Sequence, residues 1–205
     1  MKIDFANLQH QYQLYKKEID AKIQSVLNRS NYIMGEEVQQ LEKELQDFTS
    51  CRHAITCSSG SDALLLAMMT LDIRPGDEII TTPFTFIATA EMITFMKAIP
   101  VFVDIDAETF NIDASKIETK ITDKTKAIIP VSLYGQPADM KEINDIAKNN
   151  HLKVIIDGAQ CLGATYQQQC LAQYCDIYTT SFFPAKPLGG CPKIGNITTN
   201  VDMHS

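Results

Sequence analysis

The chain lacks the features that mark several large classes of protein. It has no long apolar segment, no internal repeat and no low-complexity run, which argues against a helical membrane span, a solenoid or a disordered linker. Met1-Lys-Ile-Asp-Phe-Ala runs straight into a polar amphipathic stretch, so no signal peptide is read and a cytoplasmic location is expected. Basic residues are in deficit, 18 Lys and Arg against 25 Asp and Glu, and the net charge of −7 disfavours nucleic acid and anionic membranes as partners. The cysteines at 51, 57, 161, 170, 175 and 191 form no C-x-x-C pair, and His10, His53, His151 and His204 are scattered. Reduced thiols and no metal site follow. Neither G-x-x-x-x-G-K-[ST] nor G-x-G-x-x-G occurs, which argues against nucleoside triphosphates and dinucleotides.

What is present is an alternation of strand-like and helix-like patterns over 205 residues that are 45% apolar, enough for one buried core. Leu8, Tyr12, Tyr15, Ile19, Ile23 and Val26 recur at helical spacing, predicting one amphipathic helix, and a second runs from Glu36 to Phe48 with Val38, Leu41 and Leu45 on its inner face. Strands are expected at Ala54–Cys57, Glu78–Thr81, Ile99–Val103, Lys126–Val131, Lys153–Asp157 and Asp176–Phe182. Helices at Ser61–Leu71, Ile87–Lys97, Ala114–Ile121 and Ala138–Asn149 separate them, as a parallel sheet requires. The fold class is α/β, with helices on both faces of a mostly parallel sheet.

Four segments at the ends of these strands carry candidate chemistry. Ser181-Phe-Phe-Pro-Ala-Lys186 sets a lysine five residues after a hydroxyl; a lysine amine freed of its proton condenses with an aldehyde such as pyridoxal phosphate, while a lone Lys before Pro is ordinarily a solvated loop residue. Asp157 ends an apolar strand, where it could keep a ring nitrogen protonated or simply cap a helix. Cys57-Ser-Ser-Gly-Ser61-Asp62 is a small-residue turn before an apolar helix, a phosphate cradle or a capped turn. Thr82-Pro-Phe-Thr-Phe86 offers an aromatic face that could stack on a planar ring or belong to the core.

Together these segments resemble the DegT/DnrJ/EryC1/StrS sugar aminotransferases, fold-type I pyridoxal-phosphate enzymes. The resemblance is carried by Tyr32-Ile-Met-Gly35, Ser59-Gly-Ser-Asp-Ala63, Pro75-Gly-Asp-Glu78, Pro83-Phe-Thr-Phe86, Pro100-Val-Phe-Val-Asp104, Pro130-Val-Ser-Leu-Tyr-Gly135, Asp157-Gly-Ala-Gln160 and Ser181 to Gly189. Within the family the chain most resembles enzymes that aminate a 3-oxo UDP-N-acetylglucosaminuronate. The resemblance implies a three-layer αβα large domain. It makes Lys186 the Schiff-base lysine and proton carrier, and Asp157 the partner of the pyridine nitrogen. Gln160 would bond the 3-oxygen, with Phe86 and Ala159 on the two ring faces. Gly60, Ser61, Asp62 and Ser181 would hold the phosphate, the first three through backbone N–H groups. Gly158 stands where a bulkier small residue is usual, so looser packing is expected there. The implied partners are a nucleotide-sugar substrate, an amino-acid donor such as glutamate, and a second subunit in a homodimer.

The resemblance falters after Gly189, where the family reads Gly-Cys-Tyr-Gly-Asp-Gly-Gly-Ala and this chain reads Gly189-Gly-Cys-Pro-Lys-Ile-Gly-Asn-Ile-Thr-Thr-Asn200. The expected division is an N-terminal helix in 1–30, an incomplete cofactor-binding domain in 31–189 and a divergent, frameshifted tail in 190–205. The resemblance leads to the expectation that a C-terminal small domain is missing and that this is a truncated form of weak or no activity. The alternatives are a deliberate fragment, a divergent protein with another partner, and a non-catalytic remnant or dimerisation partner; a sugar dehydratase is disfavoured because it would carry histidine in place of Lys186. Family topology further implies that Asn196–Asn200 inserts antiparallel between the first and sixth strands, with Pro192 disturbing the lead-in.

Overall fold

A computed structural model describes residues 7–190 and 194–201. Cys191, Pro192 and His204, to which expectations were attached, lie outside these residues.

A seven-stranded sheet forms the middle layer. In chain order its strands are β1 (His53–Cys57), β2 (Glu78–Thr81), β3 (Ile99–Phe102), β4 (Thr125–Ile128), β5 (Lys153–Asp157), β8 (Ile177–Ser181) and β9 (Gly195–Thr199). The spatial order is β1-β9-β8-β5-β4-β2-β3. The β2–β3, β2–β4, β4–β5 and β5–β8 pairs are parallel. β9 runs antiparallel to both of its neighbours, with Ile197 opposite Ile55 and Thr179. The insertion read from the family topology is therefore present, starting one residue earlier.

The central strands carry consecutive apolar residues, Ile79-Ile80, Ala127-Ile128 and Val154-Ile155-Ile156, because both of their faces are covered. Ile79, Ile155, Ile177 and Ile197 pack on the helices α3 (Gly60–Thr70) and α4 (Ala88–Phe95). Ile80, Ile128, Ile156 and Tyr178 pack on the opposite side, where α5 (Met140–Asn149) contributes Met140, Ile143 and Ala147. On that side α2 (Glu36–Thr49) adds a satellite cluster of Leu41 and Leu45 with Ala54 and Phe182. The result is the three-layer αβα arrangement expected. No helix among the described residues is long and apolar enough to cross a membrane.

Two local expectations are corrected and one element is added. The segment 114–121 is not a helix but two 3-10 turns, Ala114–Lys116 and Glu118–Lys120, hinged at the fully buried Ile117. Eight residues are too few to stabilise an α-helix on their own, and burying Ile117 decides the path. β4 stops at Ile128 rather than Val131, since Pro130 has no N–H to give to a ladder; pairing resumes as an isolated bridge from Val131 to Asp157. A hairpin that had not been read joins β6 (Thr165–Tyr166) to β7 (Gln169–Cys170).

The amphipathic helix α1 (Leu8–Arg29) forms as predicted, but none of its residues is buried. Its apolar residues Leu8, Tyr12, Tyr15, Ile19 and Ile23 remain exposed.

Candidate active site

The carboxyl ends of parallel strands are where sheets of this kind bind ligands, because loops of different length leave a crevice there. Here that crevice is a cavity of about 400 Å³. Its floor is Asp157, the last residue of β5, followed by Ala159 and Gln160. One wall is the start of α3, with Ser59, Gly60 and Ser61, and beside it stands Ser181, the last residue of β8. Thr85 and Phe86 come from the turn after β2, and Lys186 from the loop after β8, shaped by a Lys186 N–H to Phe183 carbonyl bond of 2.8 Å.

Eight of the nine residues singled out from the sequence thus line one cavity; the exception is Asp62. Its carboxylate accepts from the hydroxyls of Ser58 and Ser59, the latter at 2.7 Å, and its N–H donates to Ser59 Oγ at 3.1 Å. The residue ties into the Ser59 cap at the start of α3 instead of facing the cavity. These hydroxyl bonds, that from Ser58 foremost, hold its carboxyl below the usual range. The Ser59-x-x-Asp62 spacing signals that cap in the sequence. Ser59, which caps the helix and lines the cavity, had not been singled out.

The start of a helix presents N–H groups that have no partner within the helix, together with the positive end of its dipole. With the Ser181 hydroxyl beside them, Gly60 and Ser61 form a cradle suited to a phosphate. Strand β9 presses on the back of this cradle: a Cβ on Gly195 would lie 2.1 Å from the Ser59 carbonyl oxygen. Only glycine permits that approach.

Asp157 is 6% exposed. Burial pushes its carboxyl upward, opposed by a bond from the Thr89 hydroxyl, a bond from the Ala159 N–H and the Lys186 charge. Thr89, on α4, donates to Asp157 Oδ2 at 2.7 Å, and Ala159 N–H donates to Oδ1 at 3.1 Å. Gln160 Oε1 accepts the Tyr134 N–H at 3.3 Å, which leaves its NH2 free to donate into the cavity. Phe86 is 67% exposed and offers a bare aromatic face.

The packing around Gly158 is not loose. A Cβ there would come 2.3 Å from the ring of Tyr178, which is buried and fills the space a larger residue would need. The Tyr178 hydroxyl is near the Gly158 carbonyl, at 3.5 Å, and the Cys161 sulfur, at 3.6 Å.

The family model for the DegT/DnrJ/EryC1/StrS aminotransferases matches residues 13–204. The chain belongs to this family. A relative described as UDP-2-acetamido-2-deoxy-3-oxo-D-glucuronate aminotransferase, from Pseudomonas aeruginosa, is 48% identical over 98% of this chain and 56% of its own. Among solved structures, S. venezuelae DesV superposes with a TM-score of 0.96 at 33% identity, over 98% of this chain and 54% of that one. NtdA from Bacillus subtilis, solved with bound cofactor PMP, superposes at 0.94 and 37% identity, over 98% and 46%. The chain spans about half the length of the relatives it matches.

Proposed function

We propose that this member of the DegT/DnrJ/EryC1/StrS family is the cofactor-binding part of a pyridoxal-phosphate aminotransferase. It would move an amino group from an amino acid, glutamate being the expected donor, to a keto sugar nucleotide for surface polysaccharide synthesis. The observation that carries this reading is the meeting of a lysine, a buried aspartate and a helix-start cradle in one cavity. The residues fit the group. The cradle of Gly60, Ser61 and Ser181 suits its phosphate, Asp157 a protonated ring nitrogen, the Gln160 NH2 an anionic ring oxygen, and Phe86 and Ala159 the two ring faces.

Pyridoxal phosphate, when bound, supplies an aldehyde that takes up an amine and a protonated ring that draws electrons from the attached carbon. The protein's part is binding, orientation and proton transfer. Asp157, with its oxygens held by Thr89 and Ala159, keeps the ring proton in place because the ion pair favours both charged partners. The Lys186 amine would hold the group by its aldehyde and, when free, would act as the base that takes the proton from the amino donor's α-carbon.

With Phe86 67% exposed and Phe183 45% exposed, the cavity as formed by the described residues is open to water, which fits weak turnover. The uncovered apolar stripe of α1 supports a homodimer in which a second copy shields it.

The test is reconstitution. Protein mixed with pyridoxal phosphate should gain a visible absorbance band that borohydride bleaches, and mass spectrometry should then find a pyridoxyl group on the Lys186 peptide. Lys186→Ala should show neither. An adduct on another lysine, or none in the parent, overturns the reading.

A further inference from the structure

Helical threonines ordinarily turn their hydroxyls back onto their own helix. Thr49, Thr70 and Thr94 do so, donating to the carbonyls of Leu45, Leu66 and Glu91. Thr89 does not. It is 1% exposed in α4, and its hydroxyl leaves the helix to reach Asp157 Oδ2 at 2.7 Å, 68 residues away in sequence. We infer that Thr89 is a positioning residue for the cofactor's ring nitrogen, holding the Asp157 carboxylate ionised and in a fixed plane. This rests on the reading above, in which Asp157 partners that nitrogen.

Two donors, the Ala159 N–H on Oδ1 and the Thr89 hydroxyl on Oδ2, tether both oxygens, so the carboxylate plane cannot rotate. Each oxygen keeps a second lone-pair direction open for a ligand N–H. The tether also opposes the main hazard of the site. A carboxylate stripped of water tends to take up a proton, and a neutral Asp157 could no longer hold a ring proton by charge. Of the groups that resist this, the Thr89 bond acts most strongly, ahead of the Ala159 N–H and the Lys186 charge. Besides Lys186, the titratable group that feels Asp157 is the Cys161 thiol, kept neutral by burial with its pKa raised to about 11.

The experiment compares Thr89→Val, which keeps the shape and removes the hydroxyl, with Thr89→Ser, which keeps the hydroxyl. In cofactor-free protein carrying carbon-13 at the Asp carboxyls, the Asp157 resonance is the one lost in Asp157→Asn. Its titration midpoint should rise by about one to two pH units in Thr89→Val, the equivalent of one hydrogen bond to a charged group, and stay with the parent in Thr89→Ser. After loading with pyridoxal phosphate labelled with nitrogen-15 in the ring, the ring nitrogen of Thr89→Val should lose its proton at lower pH than the parent's. Thr89→Ala serves the same comparison if the valine is not accommodated. A Val or Ala variant that loads cofactor and titrates like the parent overturns the role of Thr89 and leaves the cofactor reading standing. A Ser variant that titrates like Val overturns it too, since the hydroxyl would then not be what matters. A parent that takes up no pyridoxal phosphate at Lys186 overturns both.

Discussion

Helix α1 and strand β9 are both rich in apolar or β-branched residues, yet they end in opposite environments. Across its 22 residues α1 buries none, while all five residues of β9 are buried and paired on both sides. The apolar stripe of α1 is a local property, satisfied by any surface that comes to cover it. The burial of β9 is not local: its ladders and side chains have places to go only because β1 and β8 stand at the right distance. Propensity therefore accounts for the existence of α1, and neighbours account for the position of β9.

The comparison breaks most readily at Gly195. Gly195→Val should destabilise the fold by about 1–3 kcal/mol through overpacking against the Ser59 carbonyl, seen as a lower urea midpoint, and should weaken pyridoxal-phosphate binding because the cradle is displaced. An unchanged midpoint would mean that β9 does not press on the cradle. A smaller effect of opposite sign is expected at Asn196. This side chain is fully buried in β9 and its carboxamide has no partner among the described residues. Asn196→Val should raise stability by about 1 kcal/mol, because an unpaired polar group would give way to an apolar one; a loss of stability would reveal a partner, such as a buried water. The smallest change in folding is expected on α1. Ile19→Glu with Ile23→Glu should leave unfolding of the monomer within about 0.5 kcal/mol, because neither residue is buried. The same pair should shift sedimentation from dimer to monomer, and a dimer unaffected by it would place the interface elsewhere.

Much of this organisation was legible in the sequence wherever one local pattern sufficed. Lys153–Asp157 is bounded by polar residues and apolar between them, and its span as a strand agrees with the reading. Asp157, Ser181 and Lys186 were legible because strand ends mark the ligand edge of such sheets, and the structure brings them to one cavity. Non-local causes were not legible. The β6–β7 hairpin turns on Gln167 and Gln168, both in left-handed conformation at φ 48° and 67°, without the Asn or Gly that usually announces such a turn. Thr89 sits in a helix pattern that gives no hint of Asp157, 68 residues on. At Gly158 the deciding neighbour is the Tyr178 ring, and a missing side chain suggested a void only while the ring's position was unknown.

The place of β9 also has a consequence in time. β1 and β8 are not neighbours; each bonds to β9, so the cradle that follows β1 and the lysine loop that follows β8 are joined through a strand made after both. Ala54 meets Thr198, and that closure spans most of the chain. Contacts of such sequence separation make folding slow, because the entropy of closing the loop is lost before the pairing is gained. On the ribosome the cofactor cavity cannot be completed until Gly195–Thr199 has emerged, and until then β1 and β8 each present an unpaired edge to the cell.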